Sequence, residues 1–145
     1  MAEAFWSVAY PIDADTMWKT IRQFDGLPAW HPDFGTSEII DGAGDYEIGA
    51  VRVLTLNDGG EFRERLVGLD DSTRTLTYDI ISAPAPVANY RGSMQVIPIS
   101  DTKSSLVIWR STFDPTDGSS AEDAARAMAE GAYAPALAAL REYVS

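Results

Sequence analysis

Between residues 50 and 113 turn signals cut the chain into short alternating segments, and beyond them one long helical segment runs to the C-terminus. This order constrains the fold more than any other feature. The segments are 50–56, 61–69, 74–82, 88–98 and 104–113. Asn57-Asp58-Gly59-Gly60 separates the first two and is a hairpin signature, because Asn, Asp and Gly tolerate positive φ. Asp70-Asp71-Ser72, Ala83-Pro84-Ala85-Pro86 and Ser100-Asp101 separate the others, and Asp114-Pro115-Thr116-Asp117-Gly118 closes the run. Consecutive hairpins give an antiparallel sheet.

Upstream, residues 4–10 read as a strand ending at Pro11. Asp13 is placed to cap a helix reaching about Phe24, with Met17, Trp18, Ile21 and Phe24 at helical spacing. Gly26 and Pro28 close it, Leu27 to Phe34 reads as a short second helix or tight loop, and 36–41 as a short strand. Gly42-Ala43-Gly44 lacks the strand–loop–helix setting of a dinucleotide or phosphate site and is a turn. The C-terminal helix starts near Ser119 or Ser120, with Glu122 and Asp123 in its first turn. Its apolar stripe comprises Ala125, Met128, Ala129, Ala132, Tyr133, Ala136, Leu137 and Leu140. Pro135 lies inside it and its ring opposes the Gly131 carbonyl, so a kink is expected there. The whole predicts a single α+β domain over 1–145, with one helix laid across a strongly curved sheet and a concave face between them.

Alternation places Leu76, Tyr78 and Ile80 on one face, together with Tyr90, Gly92, Met94 and Val96. These should point under the long helix, which offers alanine at 125, 129 and 132. Large residues on the sheet and small ones on the helix leave unfilled volume, or else let helix and sheet approach closely; alternation alone does not separate the two. A pocket collapsed around Trp109 and Met94 would make any cavity incidental.

Two charged residues stand in the apolar phase. Arg52 shares a face with Leu54 and Leu56, and Glu64 with Phe62 and Leu66. A lone buried charge is costly, so each needs a partner or water. The hairpin brings the two strands together, and the residues could pair. The pair is either solvated and inert near the open end of the sheet, or a polar anchor inside an apolar pocket. His31, the single histidine, reads as a surface or loop residue, or as an acid–base group on the strength of its ordinary pKa. It has no neighbours at metal-ligand spacing, and no Gly-x-Ser-x-Gly motif occurs, so neither a zinc site nor a nucleophile elbow is expected.

A formal charge of −11 without any Lys/Arg cluster makes nucleic acid and anionic membrane surfaces poor partners. No apolar run is long enough for export or for spanning a membrane, which gives a cytoplasmic reading. The expected partner is a small hydrophobic or aromatic ligand, with no cofactor and no metal; oligomeric state is left open.

Several fragments in order carry a family resemblance: Arg22-Gln23-Phe24-Asp25, Gly49-Ala50-Val51-Arg52, Glu64-Arg65-Leu66, Leu69-Asp70-Asp71 and Val87-Ala88-Asn89-Tyr90-Arg91. The chain resembles the superfamily of birch-pollen-allergen-like proteins, lipid-transfer domains of the steroidogenic-acute-regulatory type and bacterial polyketide cyclase/dehydrase-like proteins. These fragments are most similar to the plant abscisic-acid receptors. The resemblance implies the helix-grip fold, with seven curved antiparallel strands around the long helix and two short helices after the first strand. It also implies that Arg52, Glu64 and Tyr90 belong to a polar network in a pocket. His31 would stand where the receptors place a carboxylate-binding lysine, and Trp109 where they have a polar residue. Leu54, Leu56, Phe62, Tyr78, Ala125, Ala129 and Tyr133 would line or border the cavity. The receptor gate and latch are not matched: Asn57-Asp58-Gly59-Gly60 and Ala85-Pro86-Val87 stand in their places. Hormone-regulated phosphatase inhibition is therefore not implied. Binding or transfer of a small molecule is the leading expectation. A cyclase- or dehydrase-like enzyme, with Glu64 and His31 as candidate catalytic residues, is the alternative.

Overall fold

The alternating segments pair in the order their turns dictate. The computed structural model describes residues 1–145 and contains β1 (Ala2–Tyr10), α1 (Ala14–Ile21), a 3₁₀ turn (Leu27–Ala29), β2 (Phe34–Ile39) and β3 (Val51–Leu56). These are followed by β4 (Glu61–Asp70), β5 (Thr75–Ser82), β6 (Val87–Ile99) and β7 (Ser104–Pro115). The C-terminal segment is α2 (Ala121–Met128), a π-turn (Ala129–Tyr133) and α3 (Ala134–Val144). The seven strands form one antiparallel sheet in the order β1-β7-β6-β5-β4-β3-β2. The expected helix-grip α+β architecture is what the chain adopts. No helix is long and apolar enough to cross a membrane.

Several boundaries differ from expectation. β1 begins two residues early, at Ala2, because Ala2 pairs with Phe113 and is buried. β2 runs over 34–39 rather than 36–41, since Phe34 pairs with Leu56. α1 stops at Ile21, short of Phe24. The Phe24 carbonyl instead accepts a hydrogen bond from Arg52, and its ring enters the core outside the helix. Asp13 caps α1 as expected, accepting from Thr16 N–H at 3.1 Å. The β3–β4 turn places Gly59 at φ +97°, and Asp58 Oδ1 accepts from Gly60 N–H at 2.9 Å.

Curvature comes from bulges. The ladder slips in β4 near Arg63/Glu64 and Leu66/Gly68, and in β6 between Ala88 and Arg91. At the β6 slip Asn89 adopts φ 52°, a conformation Asn tolerates better than most residues, and the following Tyr90 is buried on the concave side.

Ser120 caps α2, its hydroxyl accepting from Asp123 N–H at 3.1 Å. The helix continues past Pro135 by way of the π-turn, in which Ala134 N–H donates to the Ala129 carbonyl. The wider turn falls where the Pro135 ring would meet the Gly131 carbonyl of a regular α-helix, so the expected irregularity takes the form of a π-turn and the helix does not break. Ala136, Leu137 and Leu140 of α3 are buried and close one end of the sheet. Tyr10 fixes that end by donating from its hydroxyl to the Leu137 carbonyl at 2.6 Å. Tyr10→Phe is therefore expected to lower stability by about 1 kcal/mol, read as a shifted urea midpoint with unchanged slope. At the other end α2 packs along β1 but buries no residue fully.

Candidate functional site

The gap between α2, the π-turn and the sheet is a cavity of about 430 Å³, within the range of small-molecule sites. Its lining is mostly apolar, with Leu56, Phe62, Ile80, Val87 and Phe113 on the sheet side and Ala124, Ala127, Met128 and Gly131 on the helix side. Exposed lining residues mark the opening: Asp33, Pro86, Asp117, Ser119, Ala127, Gly131 and Ala132. Buried ones mark the closed end: His31, Arg52, Glu64, Tyr78, Tyr90, Trp109 and Tyr133.

Arg52 and Glu64 face each other directly across the β3–β4 ladder. Arg52 Nε and Nη2 both donate to Glu64 Oε1, at 2.9 and 2.6 Å, while Nη1 donates to the Phe24 carbonyl. The guanidinium lies 4.2 Å from the Phe24 ring centroid. Both residues are 5% exposed, so the solvated, inert pair at the sheet's open end is not what forms. Burial raises the Glu64 carboxyl above its ordinary pKa, and the Arg52 charge and hydrogen bond oppose that rise.

Four aromatic side chains from three strands and the helix form a continuous chain of hydrogen bonds. Trp109 Nε1 donates to Tyr78 Oη at 2.9 Å, Tyr78 Oη lies 2.8 Å from Tyr90 Oη, and Tyr90 contacts Tyr133 Oη. Tyr133 then donates to Ser111 Oγ at 2.6 Å. Trp109 also stacks on Tyr133, with ring centroids 4.5 Å apart and planes 11° from parallel. Burial pushes the phenols of Tyr78 and Tyr90 well above their ordinary value and that of Tyr133 to about 12, so all three stay protonated.

His31 is buried rather than a surface residue: it is 8% exposed, with its ring 4.7 Å from Phe34 and 6.4 Å from Trp109. The fold returns the loop after the 3₁₀ turn against β7, which a lone loop histidine does not announce. Its Nδ1 accepts from Asp33 N–H at 3.3 Å, which leaves the proton on Nε2. Desolvation lowers its pKa from 6.5 to about 4, against a smaller opposing effect of Asp33. Unfolded chains take up this proton near pH 6.5 and the folded one only near 4. The stability held in neutral His31 is thus complete above pH 6.5 and is lost as pH falls towards 4. His31→Gln is expected to flatten that acid-side slope, measured by urea unfolding at pH 5 and 7.5.

Nine of the residues singled out in the sequence meet at the cavity: His31, Arg52, Leu56, Phe62, Glu64, Tyr78, Tyr90, Trp109 and Tyr133. Leu54, Ala125 and Ala129 do not line it. Leu54 is wholly buried in the packed core, and the helix lines the space with Ala124, Ala127, Met128, Gly131, Ala132 and Tyr133, of which the expected stripe held Met128, Ala132 and Tyr133. Nor do Trp109 and Met94 fill the pocket together: Trp109 is one wall of the open space, and Met94 lies in the core away from it. Phe113 and Ser111 were missed, although both share the phase of Trp109 along β7. Asp117 and Ser119 come from a turn whose position no periodicity encodes.

Residues 2–145 match the profile of a family described as polyketide cyclase/dehydrase and lipid transport. The protein XoxI from Bacillus cereus is similar in structure, with a TM-score of 0.85 at 34% identity, over 98% of this chain and 94% of that one. An uncharacterized protein from Bacillus thuringiensis gives 0.86 at 33% identity, over 99% of this chain and 100% of that one. The di-domain ARO/CYC protein BexL from the BE-7585A biosynthetic pathway gives 0.81 at 17% identity, over 99% of this chain and 46% of that one, a likeness of fold alone.

Proposed function

Since the chain belongs to the polyketide cyclase/dehydrase and lipid transport family, we propose that residues 1–145 act as one domain that binds or transfers a mainly apolar or aromatic small molecule in the cavity. The observation that carries this reading is the cavity's division into an apolar body and a closed end of fixed polar groups. Apolar walls supply the burial energy, and a few polar groups set orientation. The hydrogen bonds of Arg52, Glu64 and the tyrosines are already made within the protein, so little is spent on ordering them when a ligand enters.

Titration with N-phenyl-1-naphthylamine, a neutral apolar fluorophore, tests it. Saturable binding with one probe per chain is expected. A Cβ built on Gly131 meets no atom within 4 Å, so Gly131→Phe should project into the opening. That variant is expected to weaken probe binding at least about ten-fold while leaving the unfolding free energy within about 0.5 kcal/mol of the parent, as for an unpacked surface position. Absence of saturable binding, or identical binding by Gly131→Phe, contradicts the reading.

A cyclase-like enzyme is the second reading, favoured by one feature. Glu64 keeps an oxygen, Oε2, that receives no protein donor, and burial raises its pKa above the ordinary carboxyl value against the opposing Arg52 charge. Where turnover of a candidate substrate is found, Glu64→Gln that abolishes it with probe affinity retained assigns catalysis to that carboxyl. Loss of affinity alone removes Glu64 from a catalytic role.

A further inference from the structure

The hydrogen bonds at the closed end run in one direction. An indole N–H has a proton and no lone pair in its plane, so Trp109 donates to Tyr78. At the far end Tyr133 donates its proton to Ser111. A phenol has one proton to give. With that of Tyr133 spent, Tyr90 donates to Tyr133 and Tyr78 donates to Tyr90. No phenolic proton is left for the cavity, whereas each phenol oxygen has accepted one bond and retains capacity for another.

Glu64 has the same polarity. Both Arg52 donors converge on Oε1, so Oε2 is an acceptor without a donor. Arg52 spends three of its five N–H hydrogens on Glu64 and the Phe24 carbonyl, one from each nitrogen. The surface adds to the bias, since a chain of net charge −11 with Asp33 and Asp117 at the opening repels anions.

Building on the reading above, we infer that the closed end is a hydrogen-bond acceptor site, and that the ligand it takes is a neutral, mainly apolar or aromatic molecule leading with a hydroxyl donor. A phenol or alcohol satisfies Glu64 Oε2 or a tyrosine oxygen. A carboxylate or an ether at the same position meets lone pairs with lone pairs. His31 is the one neutral donor left among the closed-end residues named above, its Nε2–H being free for an acceptor on the same ligand.

Three probes with one ring system separate the possibilities: 2-naphthol, 2-methoxynaphthalene and 2-naphthoate, each titrated calorimetrically into the intact protein at neutral pH. A hydrogen bond to a charged acceptor is worth roughly ten-fold or more in affinity. We expect 2-naphthol to bind about ten-fold tighter than the methyl ether, and 2-naphthoate to bind weakest. Equal or tighter binding of the ether overturns the acceptor assignment while leaving a ligand-binding cavity in place. Tightest binding of the naphthoate overturns it in favour of Arg52 as the anchor. Binding of none of the three contradicts the ligand-binding reading, and the inference falls with it. Glu64→Gln is a further check, expected to narrow the naphthol-to-ether ratio, and the three-probe comparison on the parent protein does not depend on whether that variant folds.

Discussion

Arg52→Met is expected to destabilise the protein by about 3–5 kcal/mol, the usual result of stripping a buried charge of its partner. Arg52 holds four things together. It neutralises Glu64, satisfies the Phe24 carbonyl released where α1 ends, covers the Phe24 ring, and ties β3 to β4 beneath the helix. Methionine restores much of the volume but leaves the Glu64 carboxylate and the carbonyl without donors. The double variant Arg52→Met/Glu64→Leu removes the unpaired charge and is expected to recover most of the loss, because a buried ion pair is often matched by apolar residues of similar size. Urea unfolding of the parent, both single variants and the double variant measures this cycle. A single-variant loss below about 1 kcal/mol would mean that the pair is effectively solvated, as in an exposed ion pair.

Gly92→Ala is expected to cost about 1–3 kcal/mol and to reduce probe binding by ten-fold or more, although it adds only one methyl group. Gly92 sits opposite Tyr78 in the β5–β6 ladder, and a Cβ there would lie 2.7–2.9 Å from the Tyr78 ring and hydroxyl. A side chain free to swing would yield cheaply. Tyr78 is not free: it is 2% exposed, hydrogen-bonded to Trp109 and Tyr90, and its ring lies 5.4 Å from the Arg52 guanidinium. Displacing it breaks the hydrogen-bond chain in the middle and pushes a ring into the cavity. Gly92→Ala/Tyr78→Phe removes one clashing atom but leaves the ring, so only partial recovery is expected. Thermal unfolding together with fluorophore titration reads both effects.

Most of the fold was legible because turns and alternation are local. Asn57-Asp58-Gly59-Gly60 and Asp70-Asp71-Ser72 bound strands whose buried faces follow from period two, and Arg52 opposite Glu64 follows from the hairpin register. Strand ends were less legible, because residues such as Ala2 and Phe34 become strand only through a partner far away in sequence. The sheet side of the site followed from alternation, while the helix side was legible at Met128, Ala132 and Tyr133 but not at Ala124, Ala127 and Gly131. A stripe of alanines and a glycine has too little size contrast to fix which edge faces a half-empty space. His31 was the least legible residue, since its burial depends on where a short turn returns to the sheet. The direction of the tyrosine chain was not legible at all, for it rests on geometry contributed by Trp109 and Ser111 on one strand and Tyr133 on the helix.

The central claim is that the space between the sheet and α2 receives a small molecule at its closed end. Nuclear magnetic resonance of the indole N–H and histidine ring signals during 2-naphthol titration tests this most directly. Trp109 and His31 line the cavity, whereas Trp18 donates to Asp71 at 2.8 Å away from it and serves as the internal control. Saturable shifts of Trp109 and His31 with Trp18 unmoved are the predicted result. Unmoved Trp109 and His31 signals at saturating probe, or equal movement of Trp18, would contradict the account.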